Sequence, residues 1–149
     1  MKKLFALLAL LLLSSTAVAE ERATPQDAED LVKTAISYLK KHGAEKAYAT
    51  YQSKNGPFIY KDLYIAAYDL SGKCVSHGAD PSRVGKGFLD AKDPDGKLFI
   101  QERIAIAKGK GRGWQDYKYL NPATKKVEQK TSFVERVGDV IVCAGAYKG

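Results

Sequence analysis

The sequence has few of the residues on which metal, redox and hydrolytic chemistry depend. It contains two cysteines and two histidines among 149 residues, and neither histidine stands next to a cysteine. This composition excludes a disulfide-stapled miniprotein, a CxxC redox centre and a zinc ligand set. No G-x-S-x-G motif is present, and Gly109, Gly111 and Gly113 follow a predicted helix without the dinucleotide-binding spacing. We therefore predict a protein that is not an enzyme and that holds no metal or other cofactor.

Long hydrophobic runs are absent beyond the N-terminus. The apolar run at residues 4–13 is about ten residues long, which is too short to cross a bilayer. It follows the basic Lys2 and Lys3 and precedes Ala17-Val18-Ala19, which has small residues at the two positions that define a cleavage site. We expect residues 1–19 to be a cleaved signal peptide and residues 20–149 to form one periplasmic or secreted domain without a membrane span. An uncleaved N-terminal anchor is the alternative.

Charge of one sign is not concentrated in any long stretch. Without Lys2 and Lys3, the predicted mature chain has 22 basic and 17 acidic groups, which gives a net charge of +5. Its densest basic segment, at residues 108–112, has no interleaved aromatic side chains, and we predict no binding of nucleic acid. The mildly positive field instead favours small anionic ligands.

The first part of the predicted mature chain has helical periodicity. Thr24 is a suitable cap for a helix that begins at Pro25, and apolar residues then recur every three or four positions. Gly43 is expected to end this helix. A second, shorter helix is predicted at residues 44–52 and a third at residues 98–108.

The remaining segments alternate with a period of two residues, which predicts strands. The predicted strands are residues 63–69, 73–77, 114–120, 127–137 and 140–147. Tight turns between neighbouring strands favour antiparallel hairpins. The intervening loop at residues 78–97 is long for a compact domain, and loops of this length are usually functional. We predict an α+β fold in which a long N-terminal helix and short helices lie on one side of a five-stranded antiparallel sheet.

Several short segments stand in an order that resembles a known family. They are Tyr68-Asp69, Ser76-His77, Val84-Gly85-Lys86, Asp93-Pro94-Asp95-Gly96-Lys97, Gly113-Trp114-Gln115-Asp116-Tyr117, Asn121-Pro122 and Lys130-Thr131-Ser132-Phe133-Val134. The chain resembles the single Cache domains of the second type, which are extracytoplasmic ligand-sensing modules of bacterial chemoreceptors and histidine kinases with a PAS-like sheet. The sequence departs from that pattern at Gly78, where the family usually has proline, and at Phe133, where it often has tyrosine.

The resemblance implies a sensory domain that binds a small organic anion, such as a short carboxylate or an amino acid. Receptors of this family continue into a transmembrane helix, whereas this sequence ends at Gly149. We therefore expect a stand-alone exported member that passes its signal to a membrane chemoreceptor or histidine kinase. A periplasmic interaction or scaffold protein with a vestigial pocket is the alternative.

A site for a small anion needs a cation, hydroxyl or indole donors, and aromatic walls. Lys130 lies in an otherwise uncharged segment of its predicted strand, and the resemblance supports it as the cation. We predict the pocket on the helix-free face of the sheet, covered by residues 78–97. Its predicted ligand-binding residues are Tyr68, His77, Trp114, Tyr117, Tyr119, Lys130 and Phe133. A solvent-facing lysine, ordinary sheet aromatics and a structural histidine are the corresponding alternatives.

Two cysteines in an exported protein allow either a disulfide or two buried free thiols. In the strand order that the resemblance implies, the strands of Cys74 and Cys143 border the same central strand from opposite sides. Two strand spacings amount to about 9–10 Å, beyond the disulfide limit of about 7 Å between Cα atoms. This geometry weighs against a disulfide, and both alternatives stay open.

Overall fold

The computed structural model describes residues 21–149, and the expected signal peptide at residues 1–19 lies outside the described residues. We number the α-helices and strands in chain order. They are α1 (Pro25–His42), α2 (Ala44–Tyr51), β1 (Ala66–Asp69), β2 (Cys74–His77), α3 (Phe99–Lys108), β3 (Arg112–Asn121), β4 (Lys126–Val137) and β5 (Val140–Tyr147). Within this part of the chain, no helix is both long enough and apolar enough to cross a membrane.

Helix α1 begins and ends where the sequence predicts. The hydroxyl of Thr24 accepts a hydrogen bond from the backbone N–H of Asp27, and the Asp27 carboxylate accepts one from the N–H of Thr24. This reciprocal capping box satisfies two donors that the first turn leaves without partners. At the other end, Gly43 has a φ of 83°, and its N–H donates to the carbonyl of Leu39. Glycine adopts this conformation without steric cost, so the helix ends here.

The five strands form one antiparallel sheet in the order β2-β1-β5-β4-β3. The predicted α+β fold with a five-stranded antiparallel sheet is confirmed. On β4 and β5, Phe133, Val142 and Ala144 face α1 and share one buried cluster with it. Val134 and Cys143 alternate to the other face of the sheet and belong to a second buried cluster.

Helix α3 covers that second face, which corrects the expectation that the helices lie on one side of the sheet. Phe99, Ile100, Ile104 and Ala107 of α3 are buried in the same cluster as Val134. A sheet that is apolar on both faces must be covered on both faces, because each apolar surface gains by leaving water. The face on which we predicted the pocket is therefore not free of helices.

Strand β2 contains a β-bulge that decides where its side chains point. Tyr68 pairs with Cys74, whereas Ala67 pairs with the residue after Val75, which leaves Val75 as the extra residue. The bulge shifts the alternation of side chains by one position. As a result Cys74 and His77, three residues apart, both lie on the α3 face of the sheet.

The two cysteines are buried free thiols. Strand β1 lies between their strands, as the PAS-like order implies. The Sγ of Cys74 donates to the carbonyl of Ser76 at 3.5 Å, and the Sγ of Cys143 donates to the carbonyl of Ala66 at 3.3 Å. Burial raises the pKa of Cys74 to about 11, so this thiol is neutral at pH 7. Of the two alternatives, the structure contains the free thiols.

Candidate ligand-binding site

A small cavity lies between α3 and the face of the sheet opposite α1. We call it the inner cavity, and its polar and aromatic lining consists of Tyr64, Tyr68, His77, Phe99, Arg103, Tyr117, Tyr119, Lys130 and Ser132. Its volume is about 10 Å³. This is room for about one water molecule, so the cavity is closed in this state.

Lys130 is buried at the centre of the inner cavity. It lies on β4, and its Nζ donates to the hydroxyl of Tyr64 at 2.9 Å. The Nζ also lies 4.5, 4.7 and 5.1 Å from the ring centroids of Tyr64, Tyr147 and Tyr119. Burial opposes the charged form, but Tyr117 and Tyr64 outweigh it, and the pKa of Lys130 is raised above its ordinary value. The side chain is therefore a cation at neutral pH.

A directed chain of hydrogen bonds holds this cation in place. Tyr147 donates its hydroxyl hydrogen to the carbonyl of Leu120 at 2.9 Å, so it accepts from Tyr64, whose oxygen is 3.1 Å away. Tyr64 in turn accepts from Lys130. Because an ammonium group has three hydrogens, two of them stay available to a ligand.

Gly145 on β5 makes the space for the Lys130 side chain. It pairs with Ser132 across β4 and β5, and Ser132 is the next residue after Lys130 on the same face of β4. A Cβ at this position would lie 2.5 Å from Cε of Lys130 and in collision with the hydroxyl of Ser132. Glycine is required here for close packing and not for its backbone conformation.

Arg103 is the second buried cation of the inner cavity, and it was not among the predicted site residues. Its Nε donates to Oε1 of Gln115 and its Nη2 to the hydroxyl of Tyr117, both at 2.9 Å. Gln115 is itself anchored, because its amide donates to the carbonyl of Phe99 at 2.8 Å. The sequence does contain a signal: Arg103 interrupts the apolar stripe of α3, directly before Ile104.

His77 contributes a neutral hydrogen-bond donor. Its Nδ1 accepts from the backbone N–H of Asp80 at 2.9 Å. Burial, reinforced by the charges of Arg83 and Lys130, lowers the pKa of His77 to about 3. A neutral imidazole that accepts at Nδ1 carries its hydrogen on Nε2. That Nε2–H has no protein acceptor among residues 21–149, and His77 lines the inner cavity.

The cations of this site have no acidic partners. Neither aspartate nor glutamate lines the inner cavity. Among the described residues, no ion pair includes Lys130, Arg103 or Arg83. A buried charge without a counter-charge is costly, and an anion in the cavity would remove that cost. The arrangement is therefore suited to binding an anion.

The structure brings together five of the seven predicted site residues. Tyr68, His77, Tyr117, Tyr119 and Lys130 line the inner cavity. Trp114 and Phe133 do not, which corrects that part of the prediction. They pair across β3 and β4 with ring centroids 5.2 Å apart, on the α1 face of the sheet. Alternation explains this, because each is one residue away from a cavity-facing position.

A wider groove lies outside the inner cavity. We call it the outer groove. Its volume is about 350 Å³, and its lining includes Arg83, Phe88, Asp93, Phe99 and Tyr119. Residues of the 78–97 loop therefore line the outer groove, whereas α3 covers the inner cavity, which corrects the expected role of the loop. Phe99 and Tyr119 line both spaces, so they form the wall between them.

The strand order β2-β1-β5-β4-β3 and the cation-lined cavity beneath α3 agree with the class of PAS-like sensory domains that the sequence resembles. The family model for Single Cache domain 2 matches residues 3–148. The chain belongs to this family, and the resemblance drawn from its sequence is confirmed. Cache domains are extracytoplasmic sensor domains.

Curated relatives occur in both receptor classes. The sensor histidine kinase MctS of Rhizobium johnstonii is 42% identical over 74 residues, which are 50% of this chain and 16% of the kinase. The methyl-accepting chemotaxis protein McpP of Pseudomonas putida is 28% identical over 74 residues, 50% of this chain and 14% of that protein. The matched region thus spans about one-sixth of the length of these relatives.

Solved structures share the fold. A methyl-accepting chemotaxis protein from Vibrio parahaemolyticus has a TM-score of 0.72 at 21% identity, covering 82% of this chain and 86% of that one. A Cache chemosensory domain described for carboxylic acid recognition has a TM-score of 0.71 at 23% identity, covering 83% and 92%. The chain is thus a Cache sensor domain related to the sensor domains of chemoreceptors and histidine kinases.

Proposed function

We propose that the protein is a sensory domain that binds a small organic anion, such as a short carboxylate, in the inner cavity. One observation carries the proposal: Lys130 and Arg103 are buried in the same cavity, and no carboxylate of the described chain neutralises either one. An amino acid is a ligand of the same class if its ammonium group stays outside the cationic part of the cavity.

The remaining donors suit the orientation of a carboxylate. Two hydrogens of Lys130, the Nε2–H of His77 and the hydroxyl of Tyr119 have no protein acceptors among residues 21–149. Charge-assisted hydrogen bonds to a carboxylate are about twice as strong as neutral ones, and Arg103 adds a planar fork of donors. Because the cavity holds only about one water, the ligand must displace Tyr119 or shift α3 to enter.

The relatives support a sensory role outside the cytoplasm. One structural neighbour is described for carboxylic acid recognition, and the curated relatives are a histidine kinase and a chemotaxis protein. We propose that residues 1–19 are removed on export, that residues 20–149 act in the periplasm or outside the cell, and that a membrane chemoreceptor or histidine kinase receives the signal.

A second candidate function is an interaction or scaffold protein whose pocket is closed. The observation in its favour is the volume of the inner cavity, about 10 Å³, which accommodates no carboxylate without rearrangement. This candidate predicts that small anions leave the stability of the protein unchanged.

Thermal unfolding in the presence of acetate, propionate, amino acids and amines separates the two candidates. A ligand at 100 times its dissociation constant adds about 2.7 kcal/mol, which is several degrees for a domain of this size. We expect stabilisation by anions in the native protein and none in Lys130→Met. Lys126→Met, which removes an exposed cation from the same strand, is the matched control and should retain the effect.

The proposal is contradicted if no anion raises the unfolding temperature of the native protein, or if anions still raise it in Lys130→Met. Removal of an unpaired buried charge should also leave the ligand-free Lys130→Met protein at least as stable as the native one.

A further inference from the structure

Arg83 is a third cation of the site, and it belongs to the outer groove. Its guanidinium carbon lies 3.8 Å from the ring centroid of Phe88. Its Nε is buried and has no hydrogen-bond partner in the described part of the chain. Stacking on an aromatic ring orients a guanidinium group without using its hydrogen-bond donors. Arg83 is therefore positioned but not neutralised.

Arg83 and Lys130 lie close to the same tyrosine. The guanidinium carbon of Arg83 is 5.8 Å from the ring centroid of Tyr119, and Nζ of Lys130 is 5.1 Å from it, so the two atoms are at most 10.9 Å apart. Because Tyr119 and Phe99 line both spaces, a movement of these rings joins the inner cavity to the outer groove. One short ligand can then reach both cations.

The acidic residue that borders the outer groove is already committed to the backbone. The carboxylate of Asp93 accepts from the N–H groups of Asp95, Lys97 and Lys118. It holds the loop against β3 and forms no ion pair with Arg83. Lys118, which also lines the outer groove, pairs with Asp95, and Lys92 is exposed to solvent. The connected site therefore has three cations that are shielded from solvent and form no ion pair in the described part of the chain, namely Arg83, Arg103 and Lys130, and a ligand with one negative charge leaves most of this positive charge without a partner.

We propose that the preferred ligand is a dianion of the short dicarboxylate class. One carboxylate lies between Lys130 and Arg103 in the inner cavity, and the second pairs with Arg83 in the outer groove. This inference rests on the proposed function and specifies the ligand of the same site. Tyr119 stands between the two carboxylates, where its hydroxyl can donate to either one.

The test compares ligands that differ by one charge. Succinate and its monoamide, succinamate, have nearly the same size and shape, and their dissociation constants are measured by calorimetry on the protein purified after expression of the full chain. We expect succinate to bind at least tenfold more tightly than succinamate. Arg83→Gln should remove that preference, because it weakens succinate binding much more than succinamate binding. Lys86→Gln, which removes an exposed cation from the same loop, is the matched control and should retain the preference.

The outcomes distinguish this inference from the proposed function. If acetate binds in a Lys130-dependent manner and succinate has no advantage over succinamate, the dianion inference is wrong and the proposed function stands. If Arg83→Gln weakens both ligands equally, the second carboxylate site is not at Arg83. If no anion binds to the native protein, both fail. If Arg83→Gln does not fold, the comparison of succinate with succinamate on the native protein still tests the preference for a dianion.

Discussion

The chemistry of the site depends on two cationic side chains that are buried without the carboxylate partners that such groups usually have. Lysine and arginine are rarely buried without a carboxylate, yet Lys130 and Arg103 are held only by phenols and one amide. Phenol and amide oxygens fix the direction of a cation without cancelling its charge. The site therefore keeps its positive potential while its geometry is preformed.

Gly145→Ala tests whether the Lys130 side chain needs the space above Gly145. The new Cβ meets Cε of Lys130 and the hydroxyl of Ser132, and both of these residues are buried. We expect a loss of about 1–3 kcal/mol in the free energy of unfolding by urea, together with weaker anion binding. Gly87→Ala is the control, because a Cβ there meets nothing within 4 Å. Equal stability of the two variants would contradict the packing argument.

The depressed pKa of His77 predicts a loss of stability in mild acid. The folded protein binds the imidazole proton only near pH 3, whereas the unfolded chain binds it near the ordinary value of 6.5. Between these values the unfolded state holds more protons, so the free energy of unfolding falls as the pH falls. We expect a loss of about 1–2 kcal/mol between pH 7 and pH 5 in urea titrations.

His77→Asn provides the control for this pH dependence. Asparagine keeps an acceptor for the N–H of Asp80 but does not titrate, so most of the loss should disappear. His42→Asn removes the other histidine of the chain, whose pKa is lowered less by burial and by the neighbouring Lys46 and Lys41, and should leave most of the loss intact. An unchanged pH dependence in His77→Asn would assign the effect to other groups.

At the scale of elements, the carboxylate of Asp93 joins the end of the loop between β2 and α3 to β3. Asp93→Ala leaves the N–H groups of Asp95, Lys97 and Lys118 without their acceptor. We expect a loss of about 1–3 kcal/mol in stability and faster hydrogen exchange at these amides. Asp90→Ala, at an exposed position of the same loop, is the control. Unchanged exchange in Asp93→Ala would show that other contacts hold the loop.

The helices and strands that have a clear periodicity of apolar residues could be predicted from sequence. The features that depend on packing against other elements could not. Thr24 and Gly43 mark the ends of α1 locally, and alternation placed Tyr117 and Tyr119 on one face of β3. Alternation alone does not reveal which face is the cavity, so Trp114 was assigned to the wrong side. Arg103 was overlooked because a charged residue within a short helix is usually exposed.

At the scale of the whole molecule, the start of the described chain is tied to the strands that carry the site. Arg22 donates to Glu128 at 2.6 Å, and the N–H of Ala23 donates to Asp62 at 2.9 Å. Glu128 lies two residues before Lys130 on β4, and hydrogen bonds from Arg22 and Asn121 lower its pKa to about 2. Arg22 thus joins the segment before α1 to the strand that carries Lys130.

This connection predicts an effect of ligand on the N-terminal segment. We expect saturating ligand to slow hydrogen exchange at residues 22–24, because a fixed β4 holds Glu128 and with it Arg22. Glu128→Gln should abolish the slowing without removing ligand binding at Lys130. Exchange at residues 22–24 that is identical with and without ligand would separate the site from this segment.

The bulge at Val75 separates the length of β2 from the composition of the site. Val75 has no partner of its own on β1, so its removal would leave Cys74 opposite Tyr68 and His77 opposite Ala66, in regular alternation and on the same face as before. In a strand without such an extra residue, the loss of one residue shifts the register and turns the side chains beyond it to the opposite face. Within this scaffold, β2 can therefore lose one residue at the bulge while the neutral donor still faces the cations.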